Sequence, residues 1–252
     1  MGKIIAFANQ KGGVGKSTTV VNLGAYLGSR GKQVLCVDID PQGNTTTGLG
    51  IKKKHLTASS YEVLVGKNSI QEAIVRTAFE NVSILPARNT LAGAELELAT
   101  MENRMNRLKM QLLTCKLDYD YILIDCPPSL GIVTTNAFLA ADEIIVPMTP
   151  ELLPLKGMRM LDAFVTNLQR VKPSLRLGGV FIARFNHRKL NKVVEQAVKS
   201  RYESITMKTR IRENIALAES AGSGKSIFEY DPNSNGAKDY LALTEEIISR
   251  NQ

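Results

Sequence analysis

A glycine-rich loop, NQKGGVGKST at residues 9–18, limits the folds open to this chain more than any other feature. It follows the apolar run KIIAFA (3–8) and precedes a helical pattern over 17–29. A strand, a glycine loop and a helix in this order form a phosphate-binding unit, because glycines let backbone N–H groups approach phosphate oxygens. The helix N-terminus adds partial positive charge at the same place.

The residue types in the loop predict how it binds a nucleotide. Lys16 is expected to bridge the β- and γ-phosphates, and the Ser17 hydroxyl is expected to bind Mg²⁺. The glycine that normally opens such a loop is replaced by Gln10, and a second lysine, Lys11, follows directly. The residues of the loop predicted to bind ATP are Lys11, Gly12, Gly13, Val14, Gly15, Lys16, Ser17 and Thr18.

Short, continuously apolar runs recur along the chain and predict strands that are covered on both faces of a parallel sheet. Longer helical patterns alternate with them, which favours an α/β fold with a doubly wound, mostly parallel sheet and helices on both faces. We expect one domain over residues 1–252, with no helix-turn-helix arm ahead of the loop. The predicted strands are 3–8, 33–39, 82–87, 121–126, 143–148 and 177–183, and the helices include 17–29, 91–113 and 155–171.

Aspartates stand where two of the predicted strands end. Asp38 and Asp40 close VLCVDID, and Asp125 closes YILID. Because the carboxyl ends of parallel strands line one crevice, we expect these side chains near the phosphate loop. Buried carboxylates are costly unless a cation accompanies them, so Mg²⁺ is the predicted cofactor beside ATP. For Asp38, a role as a helix cap or turn residue is the alternative.

Three segments together resemble the ParA/Soj family of partition ATPases, whose loop is a variant called the deviant Walker A. They are KGGVGKST, VDIDPQGN and LIDCPPSLG, and the match continues to LALTEEI near residue 245. The resemblance implies a P-loop ATPase that dimerises when it binds ATP. It also implies binding to nonspecific DNA, and hydrolysis stimulated by a ParB-like centromere-binding partner during segregation of a plasmid or chromosome.

The resemblance also implies roles for single residues. Lys11 matches the signature lysine that reaches the phosphates held by the partner subunit, which supplies positive charge to the transition state. Asp40 matches a switch aspartate that positions the attacking water, and Asp125 matches one that holds the Mg²⁺ shell through water. The predicted catalytic residues are thus Lys11, Lys16 and Asp40, and the predicted metal site is Ser17, Asp40 and Asp125. Asn186 is expected to read the adenine edge.

Residues 184–212 carry nine Lys or Arg against two Glu, a net charge of +7 in a chain of net charge +8. Within it, Leu190, Val193, Val194, Ala197 and Val198 follow helical spacing and predict one buried face. The opposite basic face suits phosphate-backbone binding with little sequence selectivity, although a merely solvated face is the alternative. The predicted DNA-binding residues are Arg188, Lys189, Lys192, Lys199, Arg201, Arg210 and Arg212. Ala216 and Leu217 stand where many family members carry an arginine.

Two other classes of function compete with partition. A MinD-like ATPase that associates with a membrane requires a cationic amphipathic C-terminal helix, whereas the pattern over 237–248 suits docking on a protein core. A metabolic enzyme with a similar loop requires cluster cysteines or a substrate pocket. Cys36, Cys115 and Cys126 lack paired spacing, which indicates reduced thiols in the cytoplasm. No segment has the ~20 apolar residues of a membrane span, and we expect a cytoplasmic protein associated with the nucleoid.

Overall fold

The computed structural model describes residues 2–150 and 154–250, without the side chains of 154–156. Its eight strands form one sheet in the order β3-β4-β2-β5-β1-β6-β7-β8. All neighbouring strands run parallel except β3, which pairs antiparallel with β4. The strands are β1 (Lys3–Phe7), β2 (Val34–Asp38), β3 (Val75–Arg76), β4 (Val82–Leu85), β5 (Tyr121–Asp125), β6 (Glu143–Met148), β7 (Arg176–Phe185) and β8 (Thr206–Arg212).

Helices cover both faces of this sheet, and each face has its own hydrophobic cluster. Leu64, Leu108 and Phe138 belong to one cluster, while Leu23 and Leu243 belong to the other. The helices are α1 (Lys16–Ser29), α2 (Asn44–Gly48), α3 (Ser60–Val65), α4 (Ile70–Ala73), α5 (Ala94–Ala99), α6 (Arg107–Leu113), α7 (Ile132–Ala140), α8 (Pro154–Gln169), α9 (Lys189–Tyr202), α10 (Ala216–Gly222), α11 (Ile227–Tyr230) and α12 (Asn235–Arg250).

The predicted fold class is confirmed, and all six predicted strands are present within a few residues of their expected bounds. Two strands at the edges of the sheet were not predicted from the sequence. Strand β3 has two residues, too few for a pattern. Strand β8, TMKTRIR, is basic, and its burial is irregular along its length, so it lacks the continuous apolar run of the central strands.

The helix predicted over 91–113 is wrong, because the structure divides this segment. A 3₁₀ helix at Asn89–Gly93 leads into α5, and turns separate α5 from α6. Asn103 takes a left-handed φ of 55° within this break. The buried Asn136 side chain of α7 donates to the Arg104 carbonyl and accepts from the Leu108 N–H. These two hydrogen bonds fix the position where α6 begins.

Helix α9 is present, but its predicted buried face is wrong in part. Val194 and Val198 are buried, whereas Leu190 and Val193 are 39% and 57% exposed. Two polar residues occupy the buried face instead. Asn191 accepts a hydrogen bond from the Asn186 N–H, and Glu195 pairs with Arg210 of β8, so these polar contacts set the rotation of the helix.

Helix α12 packs most of its predicted apolar face on the protein core. Ala237, Tyr240, Thr244 and Ile247 are buried as predicted, whereas Leu241 is 39% exposed, so its predicted place on the docking face is wrong. Across residues 2–150 and 154–250, the structure contains no helix whose length and apolarity would let it cross a membrane.

Gly28 lets α1 lie directly against the strand below it, and this contact yields a stability test. A Cβ at Gly28 would overlap the Glu80 carbonyl oxygen and lie 2.7 Å from Val82 Cγ2. We expect Gly28→Ala to lower the free energy of unfolding by about 1–3 kcal/mol, because overpacking costs more than the gain in helix propensity. Urea denaturation measures the change.

Gly93→Ala is the matched control, because a Cβ there would meet no atom within 4 Å. Equal unfolding midpoints for the two variants would contradict the close packing of α1 on β4.

Candidate nucleotide-binding site

The glycine loop between β1 and α1 has the backbone that a phosphate site requires. Gly13 and Gly15 take left-handed φ angles of 72° and 93°, and Gly15 lies directly before the helix. A Cβ at Gly12 or Gly13 would meet no atom within 4 Å, so the space before the loop is open to phosphate oxygens. The Thr19 hydroxyl donates to the Gly15 carbonyl and fixes the first turn of α1.

The two loop lysines differ in their surroundings. Lys16 is 5% exposed, and its ammonium donates to the Lys11 carbonyl over 3.3 Å. Lys11 is exposed at the surface of the same loop, and its backbone N–H donates to the Asn9 side chain. Lys16 thus places charge inside its own site, whereas the side chain of Lys11 is accessible from outside.

A cavity of about 760 Å³ extends from this loop across the carboxyl ends of the strands. Gly12, Gly13, Gly15, Lys16, Ser17 and Thr18 line one end together with Asp40. The other end has apolar walls from α10 and polar groups that follow β7 and β8, a combination that suits a base and ribose. This end is lined by Arg184, Ile211, Arg212, Glu213, Asn214, Ile215, Leu217 and Ala218.

Asp38 and Asp125 lie side by side at the ends of β2 and β5, and both are fully buried. Asp38 accepts hydrogen bonds from the Thr46 N–H and hydroxyl at 2.8 and 2.7 Å, and Asp125 accepts from the Thr45 hydroxyl at 2.7 Å. Burial raises the pKa of both carboxyls, and the charge of Asp125 raises that of Asp38 further. The Ser17 and Thr45 hydroxyls and the Lys16 ammonium lower the pKa of Asp125 in part.

Asp125 fits the predicted role beside Mg²⁺. Its Oδ1 atom is buried and has no hydrogen-bond partner among the described residues. A water of a bound Mg²⁺ shell would supply the donor that this oxygen lacks, since Mg²⁺ in nucleotide sites keeps several waters. No group of three or more His, Cys, Asp or Glu forms a metal cage within the described part of the chain. The donors present therefore fit a Mg²⁺ held jointly by protein, water and phosphate.

Asp40 and Asp38 have different positions in the loop after β2. Asp40 lines the cavity, and its Oδ1 accepts from the Gln42 N–H over 2.9 Å. Asp38 accepts from the Asp40 N–H and anchors Thr46 at the start of α2. Asp38 thus holds the loop through hydrogen bonds to backbone N–H groups, which matches the alternative that it is a turn residue. Asp40 instead faces the cavity.

Asn186 is displaced from the position expected of a residue that reads adenine. It does not line the cavity among the described residues, and its amide donates to Glu213 over 3.3 Å. Glu213, which does line the cavity, also lies 3.6 Å from the Arg184 guanidinium. The sequence analysis missed Glu213 and Asn214 as cavity residues. Both residues come directly after β8, so they could be predicted as cavity residues only if that basic strand were recognised in the sequence.

Tyr240 of α12 is a further cavity residue that the sequence analysis placed only in the core. It is buried, and its hydroxyl lies 3.2 Å from the Thr19 hydroxyl of α1. Burial raises its pKa far above the ordinary tyrosine value, so the phenol stays neutral. Helix α12 therefore forms the wall of the cavity behind the phosphate loop.

The predicted DNA-binding residues divide into two groups. The Glu195 carboxylate accepts from Lys199 at 2.9 Å and from Arg210 at 2.6 Å. Asp239 forms a bidentate salt bridge with the Arg212 guanidinium. These three cations have carboxylate partners that tie β8 to α9 and α12. The second group is exposed on α9 or at its start and comprises Arg188, Lys189, Lys192 and Arg201.

Comparison with known proteins gives the family. A profile described as AAA domain matches residues 2–177. The sporulation initiation inhibitor protein Soj of Bacillus subtilis is 45% identical over 251 residues, covering 99% of both chains. The chromosome partitioning protein ParA of Myxococcus xanthus is 40% identical over 99% of this chain and 89% of its own. The chain belongs to the ParA/Soj family of P-loop ATPases.

Solved structures similar to this ParA/Soj ATPase include two with a bound nucleotide. A structure named cobyrinic acid a,c-diamide synthase from Mycobacterium smegmatis, with bound ADP and magnesium, is 35% identical with a TM-score of 0.85 over 97% of this chain and 93% of its own. The Borrelia burgdorferi putative plasmid partition protein bound to AMPPNP is 27% identical with a TM-score of 0.86, over 99% of this chain and 100% of its own. Cyanothece McdA, at 22% identity and a TM-score of 0.89 over 98% of this chain and 100% of its own, shares the fold.

Asp125→Asn tests the effect of this carboxyl on stability separately from its predicted part in Mg²⁺ binding. An ionised carboxylate buried beside Asp38 destabilises the nucleotide-free protein at pH 7, because its pKa is raised on folding. We expect the variant to raise the free energy of unfolding by about 1–3 kcal/mol and to weaken Mg²⁺-dependent ATP binding. Denaturation without nucleotide and calorimetry with and without Mg²⁺ measure the two effects.

Asp118→Asn removes an exposed carboxylate at the opposite end of β5 and serves as the control. If Asp125→Asn left Mg²⁺-dependent binding equal to that of the control, the assignment of Asp125 to the metal shell would be wrong.

Proposed function

We propose that this protein is a partition ATPase that binds ATP and Mg²⁺, dimerises, binds nonspecific DNA and releases it after hydrolysis. The observation that carries the proposal is the pair of loop lysines, one buried in its own site and one exposed beside it. A phosphate site complete in one subunit needs one lysine. A second, exposed lysine on the same loop suits contact with a nucleotide held by another subunit.

Within one subunit, the backbone N–H groups from Gly12 to Gly15 and the Lys16 ammonium would hold the phosphates. Ser17 and Asp125 would hold Mg²⁺, directly and through water. The cation neutralises charge that develops on the phosphate oxygens. Asp40 would accept a hydrogen bond from the attacking water and orient it toward the γ-phosphate, since it is the carboxylate on the cavity wall.

Lys11 would act in the partner's site. Phosphoryl transfer proceeds through a loose transition state whose spread negative charge benefits from an added cation. A lysine supplied across the interface makes the dimer depend on the γ-phosphate, so hydrolysis would release the subunits. ATP and ADP thereby define two states of assembly.

The exposed basic residues of α9 provide the proposed DNA face. Cations without close carboxylates neutralise DNA phosphates and release counterions, whereas cations already paired must first give up a partner. We therefore assign the main DNA contacts to Arg188, Lys189, Lys192 and Arg201. Lys199, Arg210 and Arg212 would hold this face in place, with a smaller direct share.

The relatives named Soj and ParA support chromosome or plasmid partitioning as the biological role, with a ParB-like partner that stimulates hydrolysis. Binding of the dimer to chromosomal DNA would place the protein on the nucleoid in the cytoplasm. The MinD-like alternative is less favoured, because the apolar face of α12 is already buried against the core.

Asp40→Ala tests the hydrolysis step. We expect the variant to bind ATP with little change and to lose phosphate release by about 100-fold or more, because the attacking water loses its orienting group. It should persist as an ATP-bound dimer. Phosphate release and light scattering after size exclusion measure the two properties.

The control Asp118→Ala removes an exposed aspartate away from the cavity and should behave as the wild type. Failure of Asp40→Ala to bind ATP would make Asp40 a structural or direct metal residue.

The DNA face is tested by combining Arg188→Ala, Lys189→Ala and Lys192→Ala. DNA affinity should require ATP, and each lost phosphate contact should reduce the slope of log K against log salt by about 0.9. The dimer should form as before, because Lys189 and Lys192 lie on α9, Arg188 directly precedes it, and none of the three lines the described cavity. Interferometry across a salt series with ATP and with ADP provides the measurement.

The matched control combines Lys52→Ala, Lys54→Ala and Lys109→Ala, which removes the same charge from exposed positions elsewhere. Equal slopes for the two triple variants would mean that net charge alone governs binding and that α9 is a solvated face.

A further inference from the structure

A second basic run, Lys52, Lys53, Lys54 and His55, lies close to the nucleotide cavity and has no part in the function described above. It follows α2, and its last three residues form a 3₁₀ helix. Lys52, Lys54 and His55 are exposed, whereas Lys53 is half-buried. The Lys53 ammonium donates to the Gln42 carbonyl, in the loop that carries Asp40. One of the three lysines is thus directed inward.

Lys53 and Gly43 fit together closely. Gly43 takes a left-handed φ of 61°, and a Cβ there would lie 2.6 Å from Lys53 Cε. The lysine stem therefore lies against the bare glycine backbone, and its ammonium reaches the preceding carbonyl. Any side chain at position 43 would displace it. The contact therefore involves the backbone at Gly43 and a single side chain, that of Lys53.

The loop that Lys53 contacts also holds the Asp40 carboxylate in place. The Gln42 N–H donates to Asp40 Oδ1 over 2.9 Å, and the Gly43 N–H donates to the Asp40 carbonyl over 2.8 Å. The Gln42–Gly43 peptide accepts from Lys53 through its carbonyl and donates through its N–H to the Asp40 backbone carbonyl. The Asp40 carboxylate is held by the N–H of Gln42 itself, so a shift of Gln42 would displace both the backbone and the carboxylate of Asp40.

The segment that carries Lys53 is itself fixed to the core. Leu56 donates its N–H to the Lys53 carbonyl, and the Leu56 carbonyl accepts from the Arg88 guanidinium over 3.1 Å. Arg88 pairs with Glu62, whose other oxygen caps the start of α3 through Ser59. These contacts fix the segment that carries Lys53, so its side chain reaches the Gln42 carbonyl from a rigid backbone.

We propose that Lys53 is a positioning residue for ATP hydrolysis, which acts on the attacking water through the Gln42–Gly43 peptide and Asp40. This inference rests on the proposed function. Lys53 does not line the cavity among the described residues, so it is not assigned a contact with ATP. Its effect falls on the chemical step, because Asp40 orients the water and the phosphates are held elsewhere.

The variant Lys53→Met keeps the apolar stem and removes the ammonium. At saturating ATP and Mg²⁺ we expect kcat for phosphate release to fall about tenfold, because a small misplacement of a catalytic group has a large effect on rate. KM and the Kd for ATP should stay within about twofold, since uniform binding is unchanged. Lys53→Arg should restore most of the rate. Thermal melting of each variant checks that the fold is kept.

The controls are Lys52→Met and Lys54→Met, which remove equal charge from exposed neighbours. A purely electrostatic role of the basic run, for DNA or for nucleotide capture, would lower the rate or raise KM in all three variants and would overturn the proposal. An unchanged kcat in Lys53→Met, or a loss matched by a lower melting temperature and not restored by arginine, would also overturn it. If the wild type neither binds nor hydrolyses ATP, the proposed function itself fails.

Discussion

The placement of two buried aspartates side by side, with little compensating charge, is the constraint on which this structure depends. Asp38 and Asp125 are paired across β2 and β5, and both carboxyls have raised pKa values because they are buried. Threonine hydroxyls satisfy part of their hydrogen bonding, and Lys16 supplies a nearby cation. Under the proposed function, Mg²⁺ and a nucleotide bound beside these carboxyls would stabilise the folded state. Ligand binding would then offset the destabilisation at the same place where the burial of the two aspartates causes it.

Positively charged side chains occur at three distances from the two buried aspartates. Lys16 is buried within the site, Lys11 is exposed on its rim, and α9 carries cations on the outer surface. Between the rim and α9, Glu195 and Asp239 hold Arg210 and Arg212 in fixed positions. The Arg210–Glu195 pair connects β8, which contributes to the cavity, with α9, and the Arg212–Asp239 pair connects β8 with α12. The cavity and the helix proposed to face DNA are therefore joined through one edge strand.

The sequence predicted the central features well, because local signals determine them. The phosphate loop, the buried strands and the aspartates at their ends each follow from a short pattern. The features it missed depend on contacts between distant segments. Asn136 breaks the helix expected over 91–113, and Arg210 draws Glu195 into the buried face of α9. Neither polar partner is visible from periodicity, which treats polar residues as exposed. Strand β8 escaped notice for the same reason.

The contact between Tyr240 and Thr19 joins residues 221 positions apart, and it closes the cavity behind the phosphate loop. A molecule in which α12 has not yet docked would lack this wall, although its loop sequence is intact. Under the proposed function, nucleotide affinity would depend on the docking of α12 as well as on the loop. Molecules with α12 undocked would bind ATP poorly and would be excluded from the proposed ATP-dependent dimer.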